Sequence, residues 1–230
     1  MSSIAIIPAR GGSKRIPQKN IKSFCGKPII EYSIQAALDS GLFSEVMVST
    51  DDDVIAEIAM KAGASVPFFR SEKTANDYAH IGDVLLEVIE TYNQNGQFFD
   101  TFCCILATAP FISAMRLKEG YHVLKNSDYD SVFPVLKFSY PIQRALKIDD
   151  RNVSMIQPEH LLSRSQDLMP AYHDSGQFYW CRTNRFLSKK VVFTGNSGSI
   201  ILSDMEVQDI DTPEDWEIAE FKYNVLNLKK

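Results

Sequence analysis

Ile4-Ala-Ile-Ile7 is an apolar run that stops at Pro8 and opens into Gly11-Gly12-Ser13. A run so short suits a strand buried on both faces and is too short for a helix, so the chain starts with a strand that must be covered above and below. The theme then repeats. Pro28 precedes a helical stripe of Ile30, Ile34, Ala37 and Leu38 that closes at Gly41, where a left-handed cap suits glycine. Residues 46–50 read as a strand, and Asp51 or Asp52 can cap a helix carrying Ile55, Ile58, Ala59 and Ala62. A strand is expected at 65–69, a helix with Ile81, Leu85, Val88, Ile89 and Tyr92, a strand at 101–106, a helix opened by Ser113, and a strand at 131–136. Strands alternating with helices predict an α/β fold with a mostly parallel sheet covered on both faces.

The alternation breaks at 141–169. There 142–148 and 152–156 flank Asp149-Asp150 and read as a β-hairpin leaving the sheet. Residues 176–181 and 199–202 return to strand character, and Thr212-Pro213-Glu214-Asp215 supplies cap, first-turn proline and capping-box acid for a last helix with Trp216, Ala219, Tyr223 and Leu226. No repeat or linker interrupts the 230 residues, so one domain over 1–230 is expected, with 137–170 as an inserted arm. The arm's Ile142, Leu146, Ile148, Met155, Ile156, Leu161 and Leu162 have no sheet to bury them, and a symmetric partner, hence a homodimer, is expected to cover them.

Charge is distributed unevenly along this chain of net charge −5. No Asp or Glu precedes Glu31, yet Arg10, Lys14, Arg15, Lys19, Lys22 and Lys27 all do, the first four in or just after the glycine turn. In open α/β sheets ligands bind at the carboxyl ends of strands, and a glycine loop offers backbone N–H groups to phosphate while Arg and Lys neutralise it. Two readings fit: a polyphosphate site, or a solvated basic loop. At the other end, no Lys or Arg lies between Lys190 and Lys222, while Asp204, Glu206, Asp209, Asp211, Glu214, Asp215, Glu217 and Glu220 all do. Asp209 and Asp211 flank Ile210, so in a strand they share one face and present oxygens to a hard cation such as Mg2+. Alternatively Asp211 is a helix cap and Asp209 a surface charge. His173-Asp174, just ahead of an apolar strand, fits either a ligand-facing cluster or a strand-entry turn.

Several classes are excluded. The order Gly-Gly-Ser-Lys is not that of a P-loop, and G-x-G-x-x-G is absent. Gly195-Asn-Ser197-Gly198 misses the G-x-S-x-G elbow by one residue, and the four His form no zinc motif. Cys25, Cys103, Cys104 and Cys181 lack metal spacing and read as free thiols, Cys103 and Cys104 within a buried strand. The acidic balance gives no general field for nucleic acid, and no apolar run reaches membrane-spanning length. The opening has no charged region ahead of its apolar run and no cleavage site, so no secretory signal is expected and the cytoplasm is the expected compartment.

The stretch Ile4-Ala-Ile-Ile-Pro-Ala-Arg-Gly-Gly-Ser-Lys-Arg-Ile-Pro-Gln-Lys-Asn20 closely resembles the opening of the cytidylyltransferases that activate nonulosonic acids, the sialic-acid-like sugars, as CMP conjugates. Val48-Ser-Thr-Asp51, Arg70 with Ala75-Asn-Asp77, and Val207-Gln-Asp-Ile-Asp-Thr-Pro-Glu-Asp215 are similar to further blocks of that family, in the same order and across essentially the whole chain.

The resemblance implies a three-layer Rossmann-like nucleotide-diphosphosugar transferase fold, with the 137–170 arm crossing to a second subunit. It implies that Ala9, Arg10, Gly11, Gly12, Ser13, Lys19 and Asn20 hold CTP, that Arg70 and Asp77 help close the nucleotide pocket, and that Asp209 and Asp211 bind Mg2+. Catalysis is expected from Arg10, Lys19, Asp209 and Asp211. Ala107-Thr-Ala-Pro110 stands where sialic acid enzymes carry Gln-Pro-Thr-Ser-Pro, and Tyr78-Ala-His80 replaces a hydroxyl-rich stretch. With Arg164-Ser-Gln-Asp167 and Tyr172-His-Asp-Ser-Gly-Gln-Phe-Tyr179, these blocks look more like the pseudaminic acid branch. The sugar is expected to meet Ala107, Arg144, Arg164, His173, Asp174, Gln177 and Tyr179, with an arginine of the arm on its carboxylate.

Overall fold

The computed structural model describes residues 2–228. Its elements are β1 (Ser3–Pro8), the two-residue strands β2 (Ser23–Phe24) and β3 (Lys27–Pro28), α1 (Ile30–Ser40), β4 (Glu45–Ser49), α2 (Asp53–Lys61), α3 (Glu72–Ala75), α4 (Ile81–Gln94) and β5 (Thr101–Ile105). There follow α5 (Ala114–Lys125), β6 (Ser131–Lys137), β7 (Leu146–Asp149), β8 (Asn152–Met155), β9 (Tyr172–Asp174), β10 (Phe178–Arg182), α6 (Thr183–Lys189), β11 (Ser197–Leu202) and α7 (Pro213–Asn227).

Strand β1 is interior, parallel to both neighbours β4 and β5, which is why its run 4–7 is apolar without a break. The main sheet runs β11-β6-β10-β5-β1-β4, with β9 added along the end of β6. β10 is antiparallel to β5 and β6, β9 is antiparallel to β6, and β11 is parallel to β6. The carboxyl ends of β1, β4, β5 and β6 therefore share one edge.

The period of two along each strand divides the core. Ala5, Ile7 and Cys103 face one side and pack with Ile30 and Ile34 of α1, Ile55 of α2 and Leu117 of α5. Ile4, Ile6 and Cys104 face the other and meet Leu85 and Val88 of α4 and Phe186 of α6. These are the three expected layers, and all four cysteines are free. A third cluster of Phe24, Ile29, Tyr32, Ile210 and Trp216 fastens α7 to the β2–β3 hairpin. The Thr212–Asp215 capping box at α7, the Ser113 cap of α5 and the left-handed Gly41 follow the sequence reading.

Two expected strands are absent. At 65–69 only Ser65 bridges to Met47, because Pro67 has no N–H to extend the ladder. Residues 207–211 are not a strand either, since side chains take their backbone groups: Lys222 Nζ donates to Val207 O at 2.9 Å, Lys19 Nζ to Ile210 O at 2.7 Å, and Asp211 N–H to Asp215 Oδ2 at 3.0 Å. Ile210 is still buried, with Asp209 exposed and Asp211 half-buried on either side of it. The first helix starts at Ile30 rather than at Pro28, and β2, β3, α3, β9 and α6 were not anticipated.

The arm contains the expected hairpin. β7 and β8 form a two-stranded sheet of their own, joined through Asp150 (φ 39°) and Arg151 (φ 70°), both left-handed as a two-residue hairpin turn requires. Its Ile142, Leu146, Ile148, Val153, Ile156, Leu161 and Leu162 are exposed, Leu162 to 92%.

Candidate functional site

The loop after β1 is built against the end of β4 and the start of α2. Ala9 N–H donates to Ser49 O at 2.9 Å, Gly11 N–H to Asp51 Oδ1 at 3.0 Å, and Asn20 Nδ2 to Arg10 O at 2.9 Å. Of the two aspartates at the start of α2, Asp52 is the cap, accepting from Val54 N and Ile55 N at 2.8 and 3.0 Å, and Asp51 is left to hold the loop. A Cβ on Gly11 would lie 2.6 Å from Asp52 Oδ2, whereas one on Gly12 would meet nothing within 4 Å. Gly11 is thus needed for close packing, and Gly12 fronts open space.

The loop's four leading cations are brought together, two on each of two carboxylates. Arg10 and Lys14 both pair with Asp77, whose pKa they hold below the usual carboxylate range, Lys14 most strongly and then Arg10. Arg15 Nη1 lies 2.7 Å from Asp211 Oδ2, and Lys19 Nζ lies 3.5 Å from Asp211 Oδ1. The four cations and Asp77 border a cavity of about 670 Å³ at the carboxyl edge, lined also by Ser13, Asn20, Arg70 and Ala107. Arg70, 8% exposed, donates through Nε to Ser49 Oγ at 3.2 Å and through Nη2 to Ser49 O at 2.6 Å. Burial lowers its pKa from the ordinary guanidinium value, against the opposing pull of Asp51 and Glu87. Glu87 accepts from Ser71 N and Oγ, both at 2.8 Å, and from Thr74, which ties the segment before Asp77 to α4.

A second cavity, of about 450 Å³, opens on the same edge beside β9 and is lined by Leu136, His173, Asp174, Ser175, Asp209 and Lys222 among others. Tyr179 OH donates to Asp174 Oδ2 at 2.6 Å, and burial, then Asp174, raise the pKa of that phenol. Gln177 is buried and its amide donates to Glu206 O at 2.5 Å, so it braces the turn at 204–206. Arg116 grips the Glu206 carboxylate with two bonds of 2.9 and 3.0 Å. Ala107 belongs to the larger cavity rather than to this one. The arm arginines reach neither: Arg164 forms a fork with Asp167 at 2.7 and 3.2 Å, and Arg144 lies 3.5 Å from Ser165 Oγ.

Asp209 and Asp211 flank the buried Ile210: Asp209 lines the second cavity, and Asp211 lines neither but pairs with Arg15 and Lys19 of the loop. Two carboxylates are hard oxygen donors of the kind Mg2+ takes together with substrate phosphates, so the donor set fits that ion without an all-protein cage. Among the described residues no group of three or more His, Cys, Asp or Glu is arranged to hold a metal ion.

Sequence reasoning missed Lys14 as a partner of Asp77, Asp51 as the loop's anchor, and Ser175 and Lys222 in the second cavity. The position of Lys222, ending the stretch without Lys or Arg, was the one available signal for it.

A three-layer, mostly parallel sheet with a basic glycine loop at its carboxyl edge is the architecture of a Rossmann-like nucleotidyltransferase. The family described as Cytidylyltransferase matches residues 4–219, and the chain belongs to it. Two pseudaminic acid cytidylyltransferases of Campylobacter jejuni subsp. jejuni are 44% and 43% identical over 226 residues, 98% of this chain and 97% of theirs. The CMP-N,N'-diacetyllegionaminic acid synthase of Legionella pneumophila subsp. pneumophila is 33% identical, covering 96% of this chain and 95% of its own. Among solved structures, a CMP:2-keto-3-deoxy-manno-octonic acid synthetase complexed with CTP superposes with a TM-score of 0.72 at 17% identity, over 97% of this chain and 99% of that one.

Proposed function

We propose that the chain transfers CMP from CTP to the anomeric hydroxyl of a nonulosonic acid, pseudaminic acid first among them, and releases diphosphate. The observation that carries this reading is the near full-length likeness to two pseudaminic acid cytidylyltransferases, joined to a basic glycine loop whose cations surround one cavity.

In this reading the triphosphate lies on the loop, with Gly12 allowing close backbone approach and Arg10, Lys14, Arg15 and Lys19 leaving Asp77 and Asp211 for phosphate oxygens. Asp209 and Asp211 would hold Mg2+, which neutralises and orients the triphosphate when bound. The acceptor is assigned to the second cavity, which Asp209 lines. The chain's own contribution is positioning and charge neutralisation around an in-line displacement at the α-phosphorus, and no covalent intermediate on a side chain is needed. The exposed apolar arm supports a homodimer in which Arg144 and Arg164 serve the partner's acceptor site. Among the described residues no helix is long and apolar enough to cross a membrane, and use of CTP supports a cytoplasmic enzyme.

The test is CTP-dependent diphosphate release over a panel of pseudaminic, legionaminic, N-acetylneuraminic and Kdo acceptors, with product masses. Parity between pseudaminic and N-acetylneuraminic acid, or preference for the latter, would reject the assigned sugar. No diphosphate release with any acceptor would reject catalysis, leaving a nucleotide-binding regulator.

A further inference from the structure

The in-line attack leaves one proton without a destination. We propose that His173 is the base that takes it from the acceptor's anomeric hydroxyl, an inference that rests on the CMP-transfer reading above.

His173 sits in β9, opposite Leu136 near the carboxyl end of β6, on the edge where β1 enters the phosphate loop. Its Nδ1 is 2.9 Å from Asp174 O. A carbonyl oxygen only accepts, so Nδ1 carries a hydrogen, and in the neutral ring the lone pair a general base needs is then on Nε2. The ring packs against Phe138, centroids 4.8 Å apart at 55°, which holds its orientation. Other groups of the cavity are committed. Asp174 accepts from Gly176 N at 2.8 Å on one oxygen and from Tyr179 OH on the other, and Lys222 donates to Asp204 O and Val207 O. Ser175 is an alcohol, and Asp209 is assigned to the cation. Among the described residues no hydrogen bond or ion pair joins His173 to Asp209 or Asp211. The charged and titratable groups around it are Asp174 on its own strand, Tyr179 on β10, Asp209 and Lys222 across the cavity, and Lys137 one position along β6.

The step balances. The bond between the anomeric oxygen and the α-phosphorus forms, the bond from that phosphorus to the bridging oxygen breaks with its electron pair leaving on diphosphate, and the hydroxyl proton passes to Nε2. The imidazolium then returns the proton to water.

The experiment compares full-length wild type, His173→Gln and His173→Ala with CTP and the best acceptor of the panel. The expected result is a kcat loss on the order of 10²–10⁴-fold with KM for CTP little changed, as for removal of a general base. The acid limb of the wild-type kcat profile, where the base becomes protonated, should vanish in both variants, and added imidazole should restore His173→Ala saturably. A kcat within about threefold of wild type, a loss confined to acceptor KM, or an acid limb that persists without imidazole rescue overturns the assignment. Wild-type turnover with an intact His173→Gln rejects His173 alone. No wild-type turnover rejects the CMP-transfer reading, and His173 falls with it.

Discussion

Adjacent glycines of the phosphate loop should respond in opposite ways to the same substitution. In Gly11→Ala the new Cβ would stand 2.6 Å from Asp52 Oδ2 and 3.0 Å from its Cβ, closer than atoms can rest. That carboxylate cannot swing away freely, because its other oxygen caps α2 through Val54 N and Ile55 N. Giving up the cap costs about 0.5–2 kcal/mol. For a chain of this size each kcal/mol moves Tm by about 2–4 °C, so a fall of roughly 1–8 °C is expected. Shifting the loop instead would break the Gly11–Asp51 bond and move Arg10. Gly12→Ala meets nothing within 4 Å, and neither glycine has a left-handed φ, so its Tm should stay near wild type. Its methyl nevertheless occupies the space facing the phosphates, so KM for CTP should rise. Thermal unfolding and diphosphate-release kinetics of both variants read the two effects separately. A double-mutant cycle with Asp52→Gly isolates the cause: once the carboxylate is gone, Gly11→Ala should add little. Additive losses, or equal Tm falls at Gly11 and Gly12, would refute the packing argument.

Arg10→Ala should lower kcat/KM by about 2–4 kcal/mol of transition-state free energy, as for loss of one preorganised donor. Lys22→Ala, whose Nζ lies 4.3 Å from the centre of the Trp216 ring, should affect α7 packing and leave turnover near wild type. EDTA should abolish diphosphate release and Mg2+ restore it, and Asp211→Ala should remain folded by circular dichroism while losing that restoration. Arg116 foremost holds the Glu206 carboxyl below the usual range, so its stabilisation is complete above the unfolded pKa and is lost as pH falls through the folded one. Glu206→Gln should therefore unfold more readily in urea at neutral pH and show less extra loss on acidification. The arm predicts a dimer by light scattering, and Leu162→Asp should shift it toward monomer.

Much of the sheet was legible because a strand buried on both faces must be apolar without a break, as at 4–7 and 102–105, and because caps leave local marks at Gly41, Ser113 and Thr212. β9 left no mark. It has three residues, all exposed, and its ladder to β6 depends on a pairing across the whole arm. The strand read around Asp209, Ile210 and Asp211 failed because alternation records which side faces the core, not what satisfies the backbone, and here lysines and a capping acid do so. In the site, the sign of each chain end was readable, but which acid meets which base was not. Asp77 lies on a loop whose position depends on Glu87 of α4, far from Arg10 in sequence. The arm arginines show the converse: the acceptor's carboxylate calls for a cation and assigns them to the sugar, and the fold of one chain leaves them outside both cavities.

The ion pairs of the loop bear on how a highly charged substrate is selected. Four cations gathered at one strand end would repel one another, and Asp77 and Asp211 remove that repulsion from both flanks. A nucleotide bringing several charges replaces two carboxylates with one ligand, so affinity reflects the difference between two sets of charge-assisted bonds rather than the full strength of either. A monophosphate has too few oxygens to displace both acids, whereas a triphosphate can span the flank at Asp77 and the flank at Asp211 together. Discrimination between CTP and CMP then follows from the spacing of two internal counter-ions, before any contact with the base is counted.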